Sequence, residues 1–317
     1  MRLDKSGDTF TAMALASLIW LGHEQLARNT ASAAPSKQFA VTASLSPDSD
    51  QVGAGTGADP DAALMADLRA HGTKIERPRV VVWFAPDLVS RADEQRWANL
   101  MSQGIDDIEK LLGLAFGPDR LEYYIDERLG AISHSVKTVP PRVFLSGTRV
   151  KSGAAPYLHE AAHHFVFRYC RFYSTPVPLW IVEGFANYVE DEVVETVGGI
   201  AGRVFTKTGN TGVDAEAREV LTTSFGRDVV GFVGHLGAPK DIAADREHVA
   251  RSFYVLGQSF TKYLVRIVGI KAFAATFLPL MADAQRLDLQ LRQTTGRGLE
   301  ELRTDWLAHL QSSQPPR

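Results

Sequence analysis

Cysteine is almost missing from this chain: Cys170 is the single one in 317 residues. No intrachain disulfide can form, and a lone internal cysteine reads as a small buried apolar residue. Long apolar runs are missing too. The stretch over residues 10–22 is too short for a comfortable membrane span, so no stable span is expected. There is no basic stripe or Arg-rich run, and 34 Lys and Arg stand against 37 Asp and Glu for a net charge of −3. That balance argues against nucleic acid as a partner. No internal repeat is evident. Residues 35–61 hold few large apolar side chains, too few to offset the entropy of ordering, and read as a disordered linker. With 45% hydrophobic and 22% charged residues overall, the chain has the composition of a globular protein.

What is present is more specific. His159-Glu160-Ala161-Ala162-His163 sets two imidazoles four residues apart, on one face of a helix with 3.6 residues per turn. Both can point at one metal ion. This is the HExxH arrangement of zinc hydrolases, in which the glutamate is a base and not a ligand. The helix is expected over residues 156–170, with Pro156 in its first turn, where a missing N–H costs nothing.

A catalytic zinc takes three protein ligands and keeps one position open. The third is sought downstream. Pro176 and Pro178 exclude a continuing helix. A second helical pattern then runs from Leu179 through Glu190 and ends before Gly198-Gly199. Glu183 lies near its start, twenty positions after His163, among the apolar residues Trp180, Ile181, Val182 and Phe185. A helix–turn–helix hairpin would return it to the two imidazoles. The alternative is an ordinary solvated helix glutamate. Asn187, one turn after Glu183, can hydrogen-bond a ligand from behind, or be a plain surface amide. His164 should point away from the metal, about 100° round the helix. Glu190 and Asp191 are expected in solvent.

The HEAAH motif, followed at this distance by Trp180 and the run Glu183-Gly184-Phe185-Ala186-Asn187-Tyr188, resembles the gluzincin metallopeptidases of the peptidase MA-like branch. The resemblance implies a zincin-like fold, one zinc ion per chain on His159, His163 and Glu183, Glu160 as general base, and a peptide or protein substrate. The E-G-x-A-x-Y run is also similar to the basic secretory proteins and the zinc aminopeptidases. The spacing from His163 to Glu183 resembles that of thermolysin-like enzymes, one residue longer than in the aminopeptidases. Two features depart from these groups. The G-x-M-E-N element of the aminopeptidases is absent, and Val182 stands where thermolysin-like enzymes have Asn. Neither subfamily is assigned.

Tyr254 and Gly257 reproduce the Y-x-x-G element of the zinc aminopeptidases. That likeness implies a tyrosine hydroxyl on the oxyanion of the tetrahedral intermediate, against the bland alternative of a core aromatic. His235 is the competing donor. Tyr254 falls in a helix expected over residues 252–264, with Phe253, Leu256, Phe260, Leu264 and Ile267 as its buried stripe and Gly269 as its end.

Upstream, residues 79–84, 121–125 and 142–145 are β-branched or aromatic runs expected as strands. Residues 92–114 read as a helix with Trp97, Leu100, Met101, Ile105, Ile108 and Leu112 on one face. Residues 142–146 are the candidate edge strand, able to pair with a substrate backbone. From about Asp214 the pattern is mainly helical, including residues 299–310. The expectation is therefore an α+β domain over residues 62–317. In it a small mixed sheet packs on the HExxH helix (62–170), and a mainly helical half follows (171–317). Residues 1–34 resemble a secretory signal peptide, with Arg2 and Lys5 before the apolar stretch and small residues after it. The alternative is an uncleaved helical tail. Export, to a periplasm or the exterior, is the expected localisation. Two other functions stay open: a zinc-binding module without turnover, and a zinc hydrolase of a non-peptide substrate.

Overall fold

A computed structural model describes residues 60–170, 179–197, 202–204, 206–223, 246–281 and 283–312. The expected signal peptide, nearly all of the linker, the proline break at 174–178, Gly198-Gly199 and His235 lie outside the described residues.

The first half is a five-stranded mixed sheet: β1 (Thr73–Glu76), β2 (Val80–Phe84), β3 (Leu121–Asp126), β4 (His134–Val136) and β5 (Arg142–Ser146). Their order is β1-β2-β3-β5-β4. β2, β3 and β5 run parallel, while β1 and β4 are antiparallel to their neighbours. Period-two alternation divides the two faces. Val80, Val82, Phe84, Leu121, Tyr123, Ile125, Val143 and Leu145 enter the main core. Tyr124 and Phe144 point the other way, onto Leu64, Met65 and Leu68 of helix α1 (Pro60–His71). That helix begins inside the expected linker, and its Asp61 pairs with His134 Nε2 at 2.9 Å.

Helix α2 (Arg91–Leu112) starts at Ser90, whose side chain accepts from Asp93 N, and ends at Gly113 in the left-handed region, φ 67°. Trp97, Met101, Ile105, Ile108 and Leu112 are buried, with Leu100 half-buried at the margin. After a short helix α3 (Gly147–Lys151) come α4 (Tyr157–Tyr169) and α5 (Leu179–Val197). Pro156 is the residue before α4 rather than in its first turn, and Cys170 just beyond it is buried. The remainder is helical: α6 (Gly209–Leu221), α7 (Arg246–Val268), α8 (Ile270–Thr276), α9 (Ala284–Thr295) and α10 (Leu299–Ser312). The α+β architecture, with the sheet against the HExxH helix and helices beyond, is the one expected. Among the described residues no single helix is long and apolar enough to cross a membrane.

Three expectations are corrected. Residues 142–146 are interior: β5 lies between β3 and β4, and the edge strand is β4. The chain leaves β3, forms β4 and doubles back, which leaves β5 parallel beside β3. Ile267 is 43% exposed, because the four-residue step from Leu264 leads to Val268, which packs on the core instead. Glu190 and Asp191 are buried, since α5 is covered on that side by residues 202–204 and by α7, and both carboxylates find partners there.

Candidate metal centre

Helix α4 is buried from Tyr157 to Val166, so its two imidazoles are held in the interior rather than displayed on a surface. Helix α5 lies against it and carries Glu183 inward. His159 Nε2 is 3.1 Å from Glu183 Oε2 and 3.1 Å from His163 Nε2, and His163 Nε2 is 3.5 Å from the same Glu183 oxygen. These three residues are the one group of three or more metal-ligating side chains that converges among the described residues.

The donor set fits a zinc ion. Bonds of about 2.0–2.1 Å in tetrahedral geometry separate neighbouring ligand atoms by roughly 3.3 Å, which the observed separations bracket. The tautomers fit as well. Asn187 Nδ2 donates to Val204 O at 3.0 Å, which fixes the amide's orientation and turns its oxygen to His159 Nδ1 at 2.8 Å. His159 must then donate from Nδ1 and present a lone pair at Nε2. Two imidazole lone pairs and a carboxylate oxygen facing one point repel unless they share a cation. Without a metal that cation is a proton. Burial alone pushes His159 down most strongly, but the hydrogen bond and charge of Glu183, with Glu160 and Glu190 farther off, raise it to about 9. Glu183 is held well below the usual carboxylate range: burial pushes it up, and the charges and hydrogen bonds of His163 and His159 outweigh that.

Glu160 is buried beside the first imidazole. Its Oε2 accepts a 2.7 Å hydrogen bond from Ser135 Oγ, which also lies 2.8 Å from the Glu160 carbonyl oxygen. Ser135 was not legible in the sequence. It belongs to a three-residue strand, and only the sheet brings it to α4. His164 turns away from the cluster, with Nε2 2.9 Å from Arg142 O, and burial depresses it to about 3.

Tyr254 reaches the cluster from α7. Its ring stands 6.0 Å from that of His159, and its hydroxyl hydrogen-bonds the Glu183 carboxylate. Burial first, then the charge of Glu183, keeps this phenol protonated far above its ordinary range. The approach depends on Gly184, which meets the backbone at Gly257. A β-carbon on Gly184 would stand 2.2 Å from the Gly257 carbonyl carbon, 2.4 Å from its oxygen and 2.7 Å from Gln258 N. Only glycine at 184 lets α5 and α7 cross this closely, and the crossing is what sets Tyr254 against Glu183.

Behind the cluster, α5 holds residues 202–204 in place. Glu190 Oε1 accepts from Gly202 N at 2.8 Å, and Arg149 binds Gly202 O at 2.5 Å. Burial raises the Glu190 carboxyl to about 7, against the pull of His159 and the Gly202 N–H. Asp191 accepts from Gln258 Nε2 at 2.6 Å, a second tie between α5 and α7.

No family model matches the chain, and no curated protein matches it. Among solved structures it is similar to native leukotriene A4 hydrolase from Saccharomyces cerevisiae, at 16% identity and a TM-score of 0.45, over 78% of this chain and 40% of that one. A second structure of native yeast LTA4 hydrolase matches with the same identity and coverage and a TM-score of 0.46. The yeast enzyme in complex with bestatin matches at 15% identity and a TM-score of 0.36, again over 78% of this chain and 40% of that one. The chain thus spans about 40% of the length of these structures. Likeness at this level assigns neither family nor activity, so the chemistry rests on the site's own geometry.

Proposed function

We propose that this chain is a zinc-dependent hydrolase that cleaves peptide bonds, a peptidase of the gluzincin type. The observation that carries the reading is the convergence of His159 Nε2, His163 Nε2 and Glu183 Oε2 on one point, with the Glu160 carboxylate on the same helix turn as His159. A purely structural zinc would close its fourth position with another ligand and has no use for Glu160.

His159, His163 and Glu183 would hold one zinc ion. When bound, zinc supplies Lewis acidity and brings the pKa of its water near 7. Glu160 accepts the proton of the attacking water and returns it to the leaving amine. The free oxygen of its carboxylate serves this role, since the other is engaged by Ser135. Asn187 locks the His159 tautomer through its amide oxygen. Tyr254, kept protonated by burial and by Glu183, can donate to the oxyanion as the carbonyl becomes tetrahedral. Edge strand β4 lies beside α4, and a peptide can add to it as a further strand.

Metal content and peptide cleavage, measured on wild type and Glu160→Gln, test the reading. Wild type should bind one zinc per chain and cleave a mixed peptide substrate. Glu160→Gln should keep the metal and lose roughly 10²–10⁴-fold in rate, the scale for a general base. A variant as fast as wild type would remove Glu160 from the mechanism. Zinc binding without peptide cleavage would favour a non-peptide substrate or a site without turnover.

A further inference from the structure

The single side chain that β4 sends to the cluster is Ser135. Its neighbours face away: His134 stacks on Phe144 with ring centroids 4.9 Å apart, and Val136 packs with the α1 cluster. Strand alternation therefore turns Ser135 towards α4. Register sets it opposite Val143 on β5. Its hydroxyl has one hydrogen and two acceptors, Glu160 Oε2 at 2.7 Å and the Glu160 carbonyl at 2.8 Å. Both are on the residue that would act as base.

We propose that Ser135 is a positioning residue: its hydroxyl, fixed on the edge strand, holds the Glu160 carboxylate in the orientation needed for proton transfer. The proposal rests on the reading of Glu160 as general base. A glutamate has three side-chain torsions to fix, and one ionic hydrogen bond removes most of that freedom. It occupies one carboxylate oxygen and leaves the other to face the water. The strand that carries Ser135 is also the strand to which a substrate backbone would pair. Substrate register and base position are thereby set by one element, which matters because a misplacement of about 1 Å can cost on the order of 10²-fold in rate.

The test uses the full chain with Ser135→Ala, Ser135→Thr, Glu160→Gln and the Ser135→Ala/Glu160→Gln double variant. With zinc loaded, Ser135→Ala should keep stoichiometric metal and a KM near that of wild type while kcat falls about tenfold or more, the scale for one hydrogen bond to a charged group. Ser135→Thr, which restores the hydroxyl on a strand-favouring side chain, should recover much of the loss. A second readout needs no metal. In thermal unfolding of the metal-free chain, the effects of Ser135→Ala and Glu160→Gln should be non-additive, as expected for two groups in contact. Additive effects, a kcat within twofold of wild type, or a loss confined to KM or zinc content would overturn the proposal. If Glu160→Gln abolishes turnover while Ser135→Ala does not slow it, this proposal fails and the peptidase reading stands. If Glu160→Gln turns over at the wild-type rate, the reading of the base fails and the positioning role falls with it, while the unfolding cycle still reports whether the contact exists.

Discussion

Gly184→Ala is the substitution on which local and tertiary effects predict opposite signs. In an isolated helix, alanine is better than glycine by about 1 kcal/mol, so propensity alone predicts a more stable protein. The crossing of α5 and α7 predicts the reverse. The new methyl would lie 2.2 Å from Gly257 C and 2.7 Å from Gln258 N, where ordinary contact begins near 3.4 Å. The three nearest atoms it meets are all backbone, so rotating a side chain cannot relieve them, and the helices must part by about 1 Å. Overpacking of this kind costs about 1–3 kcal/mol, so the net change runs from near neutral to a loss of about 2 kcal/mol. At roughly 2–4 °C per kcal/mol for a domain of this size, Tm falls by up to about 8 °C. Function should suffer more than stability, because the same shift draws Tyr254 away from Glu183. Thermal unfolding of the metal-free protein, with zinc affinity on the same samples, checks both parts. A variant with raised Tm and unchanged zinc affinity would show that the crossing tolerates a methyl, and would refute the account of how Tyr254 is placed.

Asn187→Ala removes the acceptor for His159 Nδ1 and the donor to Val204 O. Zinc affinity should drop about 10–100-fold, and a titration giving wild-type affinity would count against it. In the metal-free chain, His159 at about 9 and Glu190 at about 7 both have raised folded pKa values. Their contributions are present at low pH and are lost as pH rises through about 7 for Glu190 and about 9 for His159. Depressed Glu183 contributes above its unfolded value and is constant in that window. Depressed His164 adds stability as pH rises through its unfolded value of 6.5. Tm of the metal-free chain should therefore fall most clearly between pH 7 and pH 9, more steeply than with saturating zinc, which displaces the proton; a flat or rising profile there would contradict it. Tyr254→Phe keeps the ring and removes one donor, so at saturating zinc kcat should drop about 10²–10³-fold with KM nearly unchanged. A normal kcat with weakened zinc binding would instead confine the hydroxyl to supporting Glu183.

The parts of the fold legible in the sequence were those with a dense local signal. Val80–Phe84 is a run of β-branched and aromatic residues, and strand β2 forms there. Arg91–Leu112 has a capping serine before it, a terminal glycine after it and one apolar face between. His159, Glu160 and His163 are legible because helical spacing alone puts them together. What was hidden depends on partners distant in sequence. β4 is three residues long, and His-Ser-Val carries no strand pattern; its place at the edge, and with it Ser135, exists only through pairing with β5. Glu190 and Asp191 look like a solvated pair on α5, because nothing near them in sequence announces Gly202 N or the Gln258 amide.

Three glutamates, Glu160 and Glu190 buried and Glu183 partly exposed, lie within a few turns of one another on α4 and α5, and in the proposed function their surroundings divide their work. Glu183 faces two imidazoles and the Tyr254 hydroxyl, so it stays ionised at any ordinary pH and is suited to hold a cation. Glu190 faces a backbone N–H and sits deepest, so its charge is the least supported and it tethers residues 202–204 rather than a metal. Among the described residues the Glu160 carboxylate accepts from one serine hydroxyl, which in the proposed function leaves its other oxygen to take up a proton and give it back. A base needs that reversibility, and a ligand needs the opposite. The HExxH spacing places Glu160 beside His159, the packing of α5 on α4 brings Glu183 to the same imidazoles, and in the proposed function the elements packed around them suit one carboxylate to be a base and the other a ligand.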